Sequence, residues 1–305
     1  MPLSRSIIIT GGNTGLGFEA AKAVIGDPSI LAIIACRNTG LGQEAVRQLE
    51  AQGGKAAFLQ LDLGDQASIR RFVERFRAME HPPLFGIICN AGMQNVAGPQ
   101  KTTQGYEATF GVNHLGHYLL VRLLLDELMQ GGRITIVSSG THDPEQKTRM
   151  PEPEYKDADN VARDMTQGRT AALRRYTTSK LCNVFFTYEL SRRLAESGDH
   201  RLKSIRANAI DPGLMPATGL ARSWPPHLRW VSHNILPLLR FVNDNVHTPE
   251  VSGKRLAALT TGPEAEPGGR YFSNGRAVPS SKLSYDTKRQ KELWAASAKM
   301  TGLDT

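Results

Sequence analysis

No run of 18 uninterrupted apolar residues occurs in the 305-residue chain, so a membrane-spanning helix is not expected. Cysteine is scarce. Cys36, Cys89 and Cys182 are scattered, with no C-x-x-C and no His/Cys cluster. That excludes a disulfide framework and a thiolate metal site, and it points to reduced, buried thiols in a cytosolic protein. The opening Met1-Pro2-Leu3-Ser4-Arg5 lacks the apolar core and cleavage site of a signal peptide, so a cytoplasmic location is expected. The net charge is +8, but the basic residues are dispersed and no basic-aromatic cluster stands out. A soluble basic surface is the preferred reading over nucleic-acid binding, and some of the excess could serve an anionic cofactor. There is no internal repeat and no low-complexity tract.

What the chain does have is glycine, 29 residues of it, and a 40% hydrophobic share, enough for one large α/β domain over 1–305. Apolar runs alternate with helical patterns. Strands are expected at 6–10, 30–36, 56–61, 84–89, 133–138 and 204–210. Helices are expected at 18–25, 42–51, 68–79, 106–129 and 175–194. Strands apolar on both faces, separated by helices, imply a doubly wound Rossmann-type parallel sheet of about seven strands with helices on both faces. Two stretches break the rhythm. Residues 141–174 are polar and read as a surface insertion. Residues 214–246 carry Trp224, Trp230, Leu236 and Phe241, which would be costly if all were exposed. That region is either a lid over an apolar substrate pocket or a packed helical excursion.

The stretch Thr10-Gly11-Gly12-Asn13-Thr14-Gly15-Leu16-Gly17 follows the first strand and opens the first helix. Glycine lets a backbone approach a pyrophosphate, and a helix N-terminus presents free N–H groups to it. The spacing is G-x-x-x-G-x-G rather than G-x-G-x-x-G, so placement carries much of the weight. Gly11, Gly15 and Gly17 are assigned the tight turn, the close backbone approach and the helix packing, with Asn13, Thr14 and Leu16 at the tip. Arg37 follows the second strand, where NAD sites usually carry a carboxylate; an arginine there fits a 2′-phosphate and favours NADP(H). Asp62-Leu63 after the third strand and Asn90-Ala91-Gly92 after the fourth lie where open parallel sheets bind ligands. Either alone would be ordinary turn chemistry.

Tyr176 and Lys180 form the one Y-x-x-x-K in the chain, on one face of a helix. A phenol is a poor acid or base near neutrality, and a nearby ammonium favours the phenolate. Ser138-Ser139 ends the fifth strand, so a hydroxyl there points toward the same edge. Asn113 lies within an apolar helix and must be satisfied, structurally or through water. Each of these has a bland alternative as a surface pair, a turn residue or a core amide.

Together the ordered motifs TGGNTGLG, DLGD, CNAG, VNHLGH, IVSSG, YTTSK and DPGLMPAT resemble the short-chain dehydrogenase/reductase family over nearly the whole chain. The resemblance implies that Tyr176 donates or accepts the substrate proton. Lys180 would lower its pKa and bond the nicotinamide ribose. Ser139 would orient the substrate, and Asn113 would hold a water linking Lys180 to solvent. Asn90 would touch the cofactor near its adenosine ribose. Pro212, Gly213, Leu214 and Thr218 would border the nicotinamide carboxamide. The stretches ACRN, FGVNHLGHYLLVRLLLDEL and TTSKLCNVFFTYELSRRL are most similar to the retinol dehydrogenase and protochlorophyllide reductase branch, which favours NADP(H) and bulky apolar substrates. Three features depart from it. The cysteine expected after Pro-Gly is Leu214, no membrane anchor is visible, and Tyr176 follows Ser139 by 37 positions, a longer gap than simple members have. The implied function is NADP(H)-dependent oxidoreduction of a lipophilic or secondary-metabolite carbonyl or alcohol, with no metal. A homodimer would pair through the helices carrying Asn113 and Tyr176. The alternative is a catalytically silent NADP(H)-binding sensor or scaffold.

Overall fold

The computed structural model describes residues 2–215 and 247–305. Most of the 214–246 segment, and Thr218 with it, lies outside the described residues. The chain order is β1 (Arg5–Thr10), α1 (Gly15–Val24), β2 (Ile30–Cys36), α2 (Thr39–Glu50), β3 (Lys55–Gln60), α3 (Gln66–Ala78) and β4 (Leu84–Cys89). An interrupted helix follows, α4 (Ala108–Phe110) and α5 (Gly116–Leu124), joined by a π-helical turn at Gly111–Leu115. Then come β5 (Leu128–Val137), α6 (Ala158–Arg163), α7 (Arg169–Glu196), α8 (His200–Ser204) and β6 (Arg206–Asp211). After the gap come α9 (Pro249–Thr261), β7 (Tyr271–Ser273), β8 (Arg276–Val278) and α10 (Thr287–Thr301).

The strands form one sheet in the order β3-β2-β1-β4-β5-β6-β7-β8, parallel except for the β7–β8 hairpin. This is the doubly wound Rossmann architecture, with eight strands among the described residues where about seven were expected. The hairpin turns at Asn274 and Gly275, both with positive φ, 53° and 75°, which is the Asn-Gly turn chemistry that matches strand twist. Its strands of three residues are too short for periodicity to show.

Side chains alternate across the sheet and build two cores. Ile8, Ile33, Ile87 and Ile134 face α3, α5 and α7 with Phe72, Phe76, Leu120 and Phe186. Ile7, Ile9, Ile34 and Ile88 face α1, α2 and α9 with Ala20, Val24, Leu49 and Leu256. The period-two alternation explains why these strands are apolar throughout. Each fully buried Phe or Ile contributes about 1.5–3 kcal/mol. Helix starts are capped locally: Asn38 accepts from Leu41 N at 2.9 Å and Asp65 from Ala67 N at 3.0 Å.

Three expectations change in detail. The 106–129 helix starts at Ala108, carries the π-helical turn, and gives way to β5 at Leu128. An apolar lead-in to a strand mimics helical periodicity there. The 141–174 stretch is only partly surface. Residues 144–149 are exposed, whereas Tyr155, Ala158, Val161 and Ala162 are buried against Phe110, Phe185 and Leu293. Six residues of its end belong to α7. Finally, α10 covers α5 and α7. Trp294 packs edge-on to Tyr118, ring centroids 5.1 Å apart, and lies 6.0 Å from Phe186. Among the described residues no helix is long and apolar enough to cross a membrane, and no His/Cys/Asp/Glu group suited to a metal is found.

Candidate active site

A parallel sheet gathers the carboxyl ends of its strands at one edge. Strand order reverses between β1 and β4, which opens a crevice there. The turn after β1 begins at Gly11, φ 64°, whose N–H donates to Ala35 O at 2.7 Å. Gly15 opens α1 with φ 56°, and a β-carbon on it would have nothing within 4 Å. A β-carbon on Gly17 would stand 2.4 Å from Gly11 O and 2.5 Å from Asn90 Nδ2. The three glycines thus differ: a left-handed turn, an open face at a helix N-terminus, and a close helix–turn contact.

The structure brings the other strand ends to the same crevice but gives some of them different work. The Asn90 amide donates to Thr10 O at 2.8 Å, so it braces the glycine turn. The backbone N–H groups of Asn90 and Ala91 both donate to Thr10 Oγ1 at 2.9 Å. Gly92 lies between Asn113 and Lys180: its missing β-carbon would be 3.4 Å from Asn113 Oδ1 and 3.7 Å from Lys180 Nζ. Asp62 accepts from Gly64 N at 2.9 Å, an Asx turn that occupies one carboxylate oxygen. Leu63 is buried in the core, so only its backbone can reach the crevice. Arg37 is exposed at the end of β2 and forms no ion pair among the described residues. Asn13 is half-buried and Thr14 exposed at the tip, while Leu16 is buried beneath it.

At the other half of the crevice, α7 presents Tyr176 and Lys180 one turn apart, both buried. Lys180 Nζ sits 5.5 Å from the Tyr176 ring centre and donates to Val137 O at 3.1 Å. The two serines at the end of β5 separate cleanly. Ser138 Oγ donates to Lys180 O at 2.8 Å and is buried. The Ser139 hydroxyl accepts from Thr141 N at 3.3 Å and faces the Tyr176 phenol. Burial, then the charge of Asp211, raises the Tyr176 pKa, and the Ser139 hydroxyl lowers it. Burial pushes the Lys180 ammonium down to about 8, against the pull of Asp211. Lys180 is not among the groups that shift Tyr176 in this structure; its ammonium lies near the ring and bonds a carbonyl.

Asn113 sits in the π-helical turn with its amide fully engaged. It accepts from Met93 N at 2.7 Å and donates to Met93 O at 3.0 Å and Ser179 Oγ at 2.9 Å. His117, missed in the sequence, links this turn to β1. Its Nδ1 donates to Asn113 O at 3.1 Å, leaving Nε2 to accept from Thr10 Oγ1 at 2.8 Å. Burial pushes its pKa down to about 4, so the ring is neutral. His142 was missed as well: Nδ1 donates to Ser139 O at 2.7 Å, and Nε2 accepts from Ser281 N at 3.1 Å. Each has one local partner and one, Thr10 or Ser281, from a distant element, which no sequence window shows.

The third side of the crevice is the turn after β6. Gly213, φ 81°, donates to Asp211 Oδ1 at 3.0 Å. Pro212 O accepts from Ser252 Oγ at 2.6 Å, and Leu214 is exposed. Beside Thr141 opens a cavity of about 340 Å³, lined by Asp143, Pro144, Lys147, Arg149 and Met150 among others. Its lining is mixed, polar and apolar, and the apolar residues of 216–246 are outside the described residues.

The sequence matches the family described as short chain dehydrogenase over residues 5–149. Polyprenol dehydrogenase of Homo sapiens is 34% identical over 309 residues, covering 98% of this chain and 86% of that one. Protochlorophyllide reductase of Avena sativa is 30% identical over 320 residues, covering 97% and 99%. The crystal structure of an uncharacterized protein from Mycobacterium Paratuberculosis superposes with a TM-score of 0.72 at 27% identity, covering 100% of this chain and 96% of that one.

Proposed function

The chain belongs to the short-chain dehydrogenase/reductase family, an oxidoreductase family that uses nicotinamide cofactors, and from that premise we propose an NADP(H)-dependent reductase or dehydrogenase for a bulky lipophilic carbonyl or alcohol. The observation that carries the reading is Tyr176 with Lys180 5.5 Å from its ring, and Ser139 facing its phenol, at the crevice edge of the sheet.

The cradle fits a dinucleotide. The open face at Gly15, the packed Gly17 and the free N-terminus of α1 suit a pyrophosphate. Arg37, without a carboxylate partner among the described residues, suits a 2′-phosphate. The nicotinamide supplies the hydride; the protein supplies position and proton. Ser139 holds the substrate oxygen beside the phenol. Tyr176, kept neutral by burial, gives that oxygen its proton in reduction or takes one in oxidation. Lys180 can bond the ribose and return a proton toward Tyr176. The names of the two relatives, for a polyprenol and for protochlorophyllide, favour a large lipophilic substrate. An intact Ser139, Tyr176 and Lys180 set argues against a silent binding protein.

The test is turnover of NADPH and NADH against a panel of lipophilic ketones, aldehydes and alcohols. Tyr176→Phe should lose at least about a hundredfold in kcat on the best substrate. Full activity in that variant would overturn the assigned chemistry.

A further inference from the structure

β6 ends at Asp211, a carboxylate that is only 5% exposed and faces the crevice residues. It accepts the N–H of Gly213 at 3.0 Å, and its other oxygen lies against Gly140. The β-carbon that Gly140 lacks would stand 3.1 Å from Asp211 Oδ2. One side chain therefore ties together two turns, the one directly after Ser139 and the one after Pro212. Turn geometry alone does not need a charge here. A neutral acceptor such as Asn or Ser could cap that N–H, whereas a buried carboxylate costs free energy unless something offsets it.

The offset lies around it. Lys180 and Tyr176 face Asp211 from α7. His142, on the turn after β5, and His247, just before α9, face it from two other sides. Tyr271 faces it from β7, its hydroxyl buried and without a hydrogen-bond partner among the described residues. Asp143 acts on Tyr271 from the same turn as His142. Burial lowers the His142 pKa, and its Nε2 accepts from Ser281 N, which only a neutral ring can do. Lys180 is thus the cation on the reactive face of Asp211.

We propose that Asp211 is a positioning residue of the redox site: it clamps the Ser139–Gly140 turn to the Pro212–Gly213 rim and sets a carboxylate beside Lys180 and Tyr176. Burial raises its own pKa. The proposal deepens the reading of Tyr176 and Lys180 given above and rests on it. The influence of Asp211 has one sign. It favours the proton on both groups, although burial outweighs it at Lys180, which is lowered overall. Without it, Lys180 in its buried pocket would release its proton at lower pH.

The test needs no substrate, so its failure is separate from a failure to find turnover. The full chain, labelled with 13Cε-lysine, is titrated by NMR, and Lys180→Met assigns the resonance. In Asp211→Asn, which keeps size and an acceptor, the Lys180 midpoint should fall by about one pH unit or more. Asp211→Glu should move it back toward wild type. An unchanged or raised midpoint in Asp211→Asn overturns the proposal. If that variant does not fold, 13Cγ-aspartate spectra of the wild type decide: an ionised Asp211 at pH 7 is expected, and a neutral carboxyl there overturns it.

Discussion

Ser138 Oγ donates to the carbonyl of Lys180 at 2.8 Å, and that bond separates two adjacent hydroxyls by task. Ser138 fastens the end of β5 to α7. Ser139, turned the other way by strand alternation, is left to meet Tyr176.

Substituting the two serines should therefore give opposite outcomes. Ser138→Ala loses a buried hydrogen bond and should cost about 1 kcal/mol, seen as a lower Tm. Ser139→Ala should leave Tm nearly unchanged and lower kcat/KM by about a hundredfold. Equal activity losses in both variants would contradict the division.

Arg37 should decide between the two nicotinamide dinucleotides. A charge-assisted bond to a phosphate is worth about 1.5–3 kcal/mol, so Arg37→Ala should weaken NADPH binding by about tenfold or more. NADH affinity should not change. Isothermal titration of both cofactors against wild type and variant checks this.

Burying Lys180 exacts a stability cost that depends on pH. Its folded pKa, about 8, lies below the ordinary 10.5. Between those values the unfolded chain binds more protons, so wild-type stability rises with pH through that window. Below pH 8 the full penalty applies. Lys180→Met should lose this rise of stability with pH between about 8 and 10.5, while losing turnover. Thermal melts across that range measure it.

The packing of α10 predicts oligomeric state. Trp294 is 4% exposed, lies against Tyr118 and Phe186, and has the Arg193 guanidinium 4.5 Å from its ring centre. The helix pair through which a homodimer was expected is covered by the chain itself. Sedimentation should show a single chain. Trp294→Ala should cost about 3–5 kcal/mol and promote concentration-dependent association.

Much of this was visible along the chain because it is local. The second and fourth strands run Ile30–Cys36 and Leu84–Cys89 in the structure, the bounds their apolar runs predict. Each is flanked by turn residues and buried on both faces. The distinct tasks of Gly11, Gly15 and Gly17 also follow from a strand–turn–helix spacing. The β7–β8 hairpin was missed because three-residue strands carry no period. The buried part of 141–174 was missed because Ala158, Val161 and Ala162 are diluted among charged neighbours.

By itself, then, the sequence determined the doubly wound α/β class, the glycine turn that opens α1 and the Tyr176/Lys180 pair. Each depends on residues a few positions apart. Only the tertiary structure decided which serine faces Tyr176, that Asn90 braces the turn, and that His117, His142 and Asp211 lie at the crevice. Those roles arise where strand ends from distant parts of the chain converge. Burial there sets the charge of each group, and no sequence window contains both a group and what buries it.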